Sequence, residues 1–384
     1  MRIVIVNSGL RYGGAEKQIV ELSKALLQRG HAVAIYTLTS DVPRLAELDG
    51  SGIDVVVDNK RGRLDLGVLW RLRRFIKNYR ADLLHGFLYD GNIYARVAAV
   101  GLGIPVLNSE RSDDYTLRRS QVWPHRLTKR LADGVVANTW TGRDFAQRLF
   151  GLPDHRMHVV SNGVRLADVE RRLAACQTNV RDVFFAGANV RLACLVGAIA
   201  PSKDYLLALA VADHLTRMDD RWRVLFVGDS FQGSMLYTVD EATTSQNYRH
   251  QVQERFSALE LQGRAVFAGQ RADALEIMAQ CDVLFSTSRH EGFPNVVLEA
   301  MSAGVPVVTV AYSDIRRILP LAWQVTAREP EALAQTILRA AAARDTIATQ
   351  QIDWVRANAT IERAAETLEA VYRQYVNPQR YQNS

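Results

Sequence analysis

Two glutamates, Glu291 and Glu299, stand eight positions apart in the segment Ser288-Arg289-His290-Glu291-Gly292-Phe293-Pro294-Asn295-Val296-Val297-Leu298-Glu299. A strand run ends near Thr287, and a loop with Gly292 and Pro294 follows. A helix is expected from about Asn295, a good N-cap residue, to Gly304, with Pro306 beyond it. That order puts Glu291 in a loop above the carboxyl end of a strand. It puts Glu299 one turn into the helix, where it can point back at the same cleft. The free N–H groups of Phe293 to Val296 would edge that cleft as an anion- or base-binding rim. A loop carboxylate, a helical carboxylate and exposed amides can together hold a polyol beside a phosphate. On spacing alone, a plain strand–loop–helix with two solvated glutamates reads equally well.

Other residues could serve the same chemistry. Gly13 and Gly14, in Tyr12-Gly13-Gly14-Ala15-Glu16, open a helix whose amides can meet an anion. They are not a dinucleotide fingerprint, because the G-x-G-x-x-G spacing is missing. Lys203 carries a flexible ammonium that suits a phosphate as a point charge, or else is a solvated surface lysine. His85 closes a strand run and could hydrogen-bond a hydroxyl, or be satisfied by loop backbone. Arg111 follows another strand run, where it could meet an acceptor phosphate or a donor oxygen, or pair with Asp113 or Asp114. Cys176, Cys194 and Cys281 lack metal-ligand spacing and fit a reducing cytoplasm.

These residues need elements to position them. Strand-like runs occur at 2–6, 31–38, 54–57, 82–85, 105–108, 134–138 and 158–160, with helical stretches between most of them. A polar, arginine-rich piece at 165–190 breaks the rhythm, and the interdomain link is placed near Gly187 and Asn189. A second alternation has strands at 193–199, 223–227, 265–268, 282–286 and 305–310. Residues 229–248 read as a polar, loop-like insertion, and from Pro330 to about Tyr375 the chain is helical. Alternation of this kind calls for parallel sheets wrapped by helices, an α/β fold with ligands at the carboxyl ends of the strands. The length of 384 residues, 48% hydrophobic, suits two doubly wound halves facing one cleft. No apolar run reaches the roughly 20 residues needed to span a bilayer. The first residues run straight into a strand pattern and do not read as a signal peptide.

The segment with the two glutamates, continued by Ala300-Met301-Ser302-Ala303-Gly304-Val305-Pro306-Val307-Val308, resembles the E-x7-E region of the retaining GT-B glycosyltransferases of family 4. The resemblance extends to the loop at Gly13 and Gly14, to the turn Ser161-Asn162-Gly163-Val164, and to residues 193–203. It implies a GT-B fold of two Rossmann-like domains: residues 1–185 for the acceptor, 190–355 for the nucleotide sugar, and a C-terminal helix and tail at 356–384 crossing back to the first domain. It implies transfer, with retention, from a UDP- or GDP-linked sugar to a glycan or polyprenyl-linked acceptor in bacterial surface polysaccharide or glycolipid synthesis. Glu291 then lies by the reacting sugar, with His85 and Arg111 as further catalytic candidates. Glu299 holds the nucleotide ribose. Gly13, Gly14, Lys203, Arg271, His290, Gly292, Phe293, Pro294, Asn295 and Val296 are candidates for the donor. The chain departs from the family where Ala198 replaces a diphosphate-binding arginine, with Arg271 or Arg11 as substitutes. The absence of a D-x-D pair implies no metal, and no cofactor is expected beyond the donor itself.

The net charge of +6 points to anionic partners. Residues 70–80 read as an amphipathic basic helix, with Leu72, Ile76 and Tyr79 set among Arg71, Arg73, Arg74, Lys77 and Arg80. Residues 115–130 add Arg118, Arg119, Trp123, Arg126, Lys129 and Arg130. Tryptophan among cations suits an anionic membrane edge, on the inner face of the cytoplasmic membrane, and a solvated helix face is the other reading. No nucleic-acid module accompanies the charge, so no nucleic acid is expected. The competing functions are a non-catalytic nucleotide-sugar-binding homologue and a sugar-nucleotide epimerase or phosphorylase of similar shape.

Overall fold

Ile3, Val4, Ile5 and Val6 are each at most 1% exposed, as a strand covered on both faces requires. They form β1 (Arg2–Asn7) at the centre of a parallel sheet in the computed structural model of the chain. The structure describes residues 1–62, 65–112, 117, 119–186, 189–229, 239–320, 323–325 and 327–376, with backbone alone at 119 and 239–245. The remaining strands of this sheet are β2 (Ala32–Thr37), β3 (Asp54–Val57), β4 (Leu83–Phe87), β5 (Val106–Glu110), β6 (Gly134–Ala137) and β7 (Met157–Val159). Between them run α1 (Gly14–Gln28), α2 (Leu66–Tyr79), α3 (Leu88–Ala99), α4 (Arg119–Thr128) and α5 (Trp140–Phe150).

The second part of the chain starts with α6 (Leu166–Ala175) and α7 (Val180–Phe185). It continues with β8 (Arg191–Val196), α8 (Tyr205–Met218), β9 (Trp222–Val227), α9 (Val239–Ala258), β10 (Ala265–Gly269) and α10 (Ala274–Ala279). Then come β11 (Val283–Ser286), α11 (Asn295–Ser302), β12 (Val307–Val310) and β13 (Gln324–Val325). Three helices close the chain: α12 (Pro330–Ala342), α13 (Arg344–Asn358) and α14 (Ile361–Tyr375).

The sheets run β3-β2-β1-β4-β5-β6-β7 and β10-β9-β8-β11-β12-β13, with parallel pairing throughout. Each reverses direction once, between β1 and β4 and between β8 and β11. That is the doubly wound order, with its ligand crevice at the reversal.

Two compact units result: Met1–Gly163 with Ala359–Ser384, and Val164–Asn358. In the first, one face of the sheet packs Ile3, Ile5, Leu83 and Leu107 against α1 and α14, through Ile19, Leu22, Ala365 and Leu368. The opposite face packs Val4, Val6 and Leu84 against α2 and α3, through Leu72, Ile76, Tyr94 and Ala95. In the second unit, Phe267 of β10 stacks on Phe226 of β9, centroids 4.9 Å apart, and meets Phe256 of α9 edge-on at 5.3 Å.

The boundary between units falls at Gly163 and Val164, earlier than the link expected near Gly187 and Asn189. The physical reason is the packing of α6 and α7 in the second unit. Arg172 of α6 forks onto Glu276 of α10 at 2.7 and 2.6 Å. Arg181 of α7 reaches the Gln280 carbonyl at 3.2 Å and the Asp282 carboxylate at 3.2 Å. Two arginines of the polar piece at 165–190, Arg172 and Arg181, therefore anchor it to the second unit. The returning segment starts at Ala359, and residues 377–384 of the expected tail lie outside the described ones. Residues 239–248, expected in a loop-like insertion, are the first half of α9, which buries Tyr248 and Val252. The rest of that insertion, 230–238, lies outside the described residues.

Candidate active site

In the second unit, Lys203 and Glu291 stand on the loops that leave β8 and β11, the two strands flanking the reversal of the sheet. The chain after β8 makes a single helical turn at Pro201–Lys203 and enters a left-handed conformation at Asp204, φ +49°. Asp204 then caps α8 by accepting from the Leu207 amide at 3.3 Å. The loop after β11 is stitched to this turn. The Arg289 amide donates to the Ser202 carbonyl at 2.7 Å, and the Thr287 hydroxyl donates to the Lys203 carbonyl at 2.8 Å. Arg328 clamps both loops, reaching the Asp204 carboxylate at 2.7 Å and the Ser288 carbonyl at 3.1 Å. Arg289 reaches the same carboxylate at 2.8 Å.

This framework delivers the Lys203 ammonium onto the Glu291 carboxylate as an ion pair. The Ser288 hydroxyl donates to the same carboxylate oxygen at 2.7 Å. The lysine stem crosses Gly197, where a Cβ would stand 3.2 Å from Lys203 Cε. Beneath the loop, burial raises the Tyr312 phenol pKa, and the nearby Glu291 charge raises it further. A cation and a carboxylate thus share one polar cluster at the carboxyl edge of the sheet, both partly open to solvent.

Glu299 lies on α11, which starts at Asn295 with Pro294 rather than Asn295 at its N-cap. The rim of free amides expected from Phe293 to Val296 is narrower than that. Pro294 has no N–H, and the Asn295 amide is already donated to the Phe293 carbonyl at 2.9 Å. The other end of α11 forms as expected. Gly304 takes φ +69°, its amide bonds the Met301 carbonyl at 3.2 Å, and the Val305 amide bonds Ala300 at 2.9 Å. Glu299 is half-buried and lies close enough to Arg172 to help hold that guanidinium charged, behind the larger effect of the Glu276 bonds. His290 is exposed on the loop, and Gly292, Phe293, Asn295 and Val296 are half-buried.

In the first unit, Gly13 is the N-cap of α1 and Gly14 its first residue. The Gly13 amide is spent on the Arg11 carbonyl at 2.9 Å. The Glu16 carboxylate folds back over Gly13, so closely that a Cβ there would collide with it. Burial raises the Glu16 pKa, against its own amide and the neighbouring Arg11 and Arg44. Arg111 donates to the Ser109 hydroxyl at 2.7 Å and to Asn162 Oδ1 at 3.0 Å, and lies 4.8 Å over the Phe87 ring. Burial lowers its pKa to about 10. Asp113 and Asp114, the other expected partners, lie outside the described residues.

His85 is completely buried under α14. Its Nδ1 meets the Tyr372 hydroxyl at 2.7 Å, and its Nε2 is buried without a hydrogen-bond partner. Burial, then the Arg111 charge, holds its pKa well below the usual imidazole range. The expectation that His85 meets an acceptor hydroxyl is therefore corrected. The returning helix covers the strand end that looked open, and His85 packs there as a neutral ring.

Two family models match the chain: Glycosyltransferase Family 4 over residues 12–168 and Glycosyl transferases group 1 over residues 177–348. The chain belongs to the family 4 glycosyltransferases. Its GT-B fold is that of Anabaena HepE, crystallised with UDP, at a TM-score of 0.79 and 19% identity, covering 97% of this chain and 100% of HepE. A GDP-mannose-dependent alpha-mannosyltransferase of Mycobacterium tuberculosis is 25% identical, over 80% of this chain and 78% of its own. An undecaprenol-linked-glycan alpha-1,4-N-acetyl-D-galactosaminyltransferase of Campylobacter jejuni is 20% identical, over 81% of this chain and 80% of its own.

Of the transferase's sequence-nominated residues, the structure brings Lys203 and Glu291 together. It does not bring Arg271 to them. Arg271 follows β10, at the far edge of the sheet, and forks onto Asp273 at 2.8 and 2.7 Å. Arg11 is likewise paired, with Asp41 at 2.5 Å. Arg271 therefore does not fill the place left by Ala198, and Arg11 belongs to the first unit. Sequence reasoning missed Ser288 as a partner of Glu291, and it missed Asp204 and Arg328. Ser288 was within reach, three positions before the glutamate. Arg328 lies 124 positions from Asp204, and no spacing rule connects them.

Proposed function

We propose that this glycosyltransferase moves a sugar, with retention, from a UDP- or GDP-linked donor to a glycan or polyprenyl-linked acceptor. The setting is bacterial surface polysaccharide or glycolipid synthesis at the cytoplasmic face of an anionic membrane. The observation that carries this reading is the Lys203–Ser288–Glu291 cluster at the reversal of the second sheet. The donors named for relatives support its class: HepE was crystallised with UDP and with UDP-glucose, and the mycobacterial relative is GDP-mannose-dependent. The Campylobacter relative's name specifies an undecaprenol-linked acceptor. Among the described residues no helix is long and apolar enough to cross a membrane, so the proposal places the enzyme on the surface.

The chemistry follows from the leaving group. The bond from the anomeric carbon to the diphosphate oxygen breaks, and one to the acceptor oxygen forms on the same face. A diphosphate is already a good leaving group, so the protein must chiefly neutralise its growing charge and align the acceptor. Lys203 supplies the point charge. Glu291, oriented by Ser288, positions the donor sugar and supports the positive character of its ring in the transition state. The acceptor proton passes to the departing phosphate oxygen. Glu299 accepts from the ribose hydroxyls. No metal or cofactor is part of the proposal. Gly13, Gly14 and Arg111 belong to the first unit, and the proposal rests on none of them. Ala198 is the one feature that favours a non-catalytic binding protein.

Calorimetric titration with UDP, GDP and ADP, then turnover of the matching sugar donors with lipid-linked acceptors, tests this. One nucleotide should bind and its donor should be consumed, with the product's anomeric configuration, read by NMR, matching the donor's. Binding without turnover would favour the non-catalytic reading, and inversion would overturn the stereochemical one.

A further inference from the structure

The amphipathic period of α2 turns one face to the core, and other large apolar side chains of the first unit stay exposed. Leu72, Ile76 and Tyr79, the apolar face of α2, are buried in the core against the sheet. On the same helix, Leu66 is 75% exposed and Trp70 62% exposed. On α4 and the helical turn Lys129–Leu131 that follows it, Trp123 is 66% exposed, Leu127 74% and Leu131 41%. Trp123 and Leu127 stand four apart on one face of α4, and Leu131 follows on the next turn. Both α2 and α4 pack against α3. Tyr89 of α3 donates to the Gln121 carbonyl of α4 at 2.7 Å, and Arg73 of α2 donates to the Ala98 carbonyl of α3 at 2.9 Å.

The charge on these two elements has one sign. Neither α2 nor residues 119–131 contains an aspartate or a glutamate. Arg74, Lys77, Arg80, Arg126 and Arg130 are exposed. No carboxylate pairs with any of the five among the described residues; Arg74 lies instead over the Trp70 ring, 5.6 Å from its centroid. Exposed indoles and leucines beside cations that no described carboxylate pairs match the interface of an anionic bilayer, where rings enter the headgroup layer and guanidinium groups meet lipid phosphates.

We infer that α2 and α4 form a membrane-docking surface for anionic lipid, with Trp123 and Leu127 as its inserting residues and Arg126 and Arg130 as their flanking cations. The inference rests on the lipid-linked acceptor reading for its purpose, but its geometry is independent of the donor site. A protein partner would need complementary carboxylates, and an RNA would use the cations without needing the exposed leucines.

The test is sedimentation of the full-length protein with vesicles, without donor or acceptor. Phosphatidylcholine vesicles are compared with an equal mixture of phosphatidylcholine and phosphatidylglycerol. The protein should sediment with the mixture and not with phosphatidylcholine alone, and added salt should weaken binding. Arg126→Ser and Arg130→Ser should each weaken it roughly fivefold. Trp123→Ser with Leu127→Ser should weaken it on the order of tenfold. All four residues are solvent-facing, so melting temperature should not move. Equal binding to both vesicle types, no binding, or variants that bind like wild type would overturn the inference. So would retention on single-stranded RNA without vesicle binding, or dimerisation in solution that Trp123→Ser abolishes. Calorimetric titration with UDP, GDP and ADP, without vesicles, is run alongside and should be unchanged in every variant. No nucleotide binding in wild type would sink the transferase reading and leave the surface standing.

Discussion

Tyr372→Phe removes one oxygen from the interior of the first unit and leaves the ring in place. That oxygen is the partner of His85 Nδ1, at 2.7 Å, while His85 Nε2 already has none. The variant therefore strands a completely buried imidazole with both nitrogens unpaired. A buried polar group left unsatisfied costs about 1–3 kcal/mol. The ring still fills its space, so no cavity adds to this. The loss falls on the docking of α14 rather than on the second unit. Amide hydrogen exchange in α14 should accelerate roughly tenfold to a hundredfold if that helix opens locally. Tyr375→Phe is the control. Its hydroxyl meets His158 Nε2 at 2.7 Å, but His158 is only half-buried and water can replace the lost partner. Unchanged exchange in Tyr372→Phe, or an equal effect in Tyr375→Phe, would refute the claim that the buried pair holds the returning helix.

The same helix should be sensitive to acid. His31, His85 and His158 meet Glu369, Tyr372 and Tyr375 of α14, and burial lowers the pKa of all three below the ordinary 6.5. The folded state keeps them neutral while the unfolded chain takes up protons. Their contribution is thus full above the ordinary value and is lost as pH falls through and below it. Melting between about pH 7.5 and about pH 5 should show falling stability, and a rise would mean that the attraction of His31 to Glu369 dominates. Arg328→Ala should raise the donor KM roughly tenfold with a smaller change in kcat, because it loosens the two loops that set Lys203 against Glu291. Steady-state kinetics checks this, and an unchanged KM would remove Arg328 from the framework. Gly163→Ala should destabilise the first unit, since its Cβ would stand 2.5 Å from the Thr360 carbonyl oxygen and 2.6 Å from Ile361 Cα. Thermal denaturation reads it, and an unshifted melting temperature would contradict the close approach.

Much of the fold was legible because each long strand is an apolar run between a helix end and a loop. β13 was not, since two residues carry no period. The loop geometry around Glu291 was legible in outline, because glycine and proline punctuate it locally. The contacts that set it are long-range. Arg328 comes from beyond β13, and Asp204 from the far loop of the reversal. His85 shows the limit most clearly. A histidine at the carboxyl end of a strand looks available in sequence, but Tyr372 arrives from 287 positions away and closes it off. In α2 the hydrophobic period was legible, and Leu72, Ile76 and Tyr79 face the core as an amphipathic helix on a sheet does; what meets its cationic face was not legible, because periodicity does not distinguish water from a membrane.

The central claim is that Glu291 acts on the donor sugar from within the Lys203–Ser288 cluster. Glu291→Ala, with Glu291→Gln beside it, is compared with wild type in two quantities: affinity for the nucleoside diphosphate and turnover of its sugar donor. The account predicts affinity within a few-fold of wild type and turnover lower on the order of a hundredfold or more in Glu291→Ala. Near-normal turnover with normal donor affinity would contradict it.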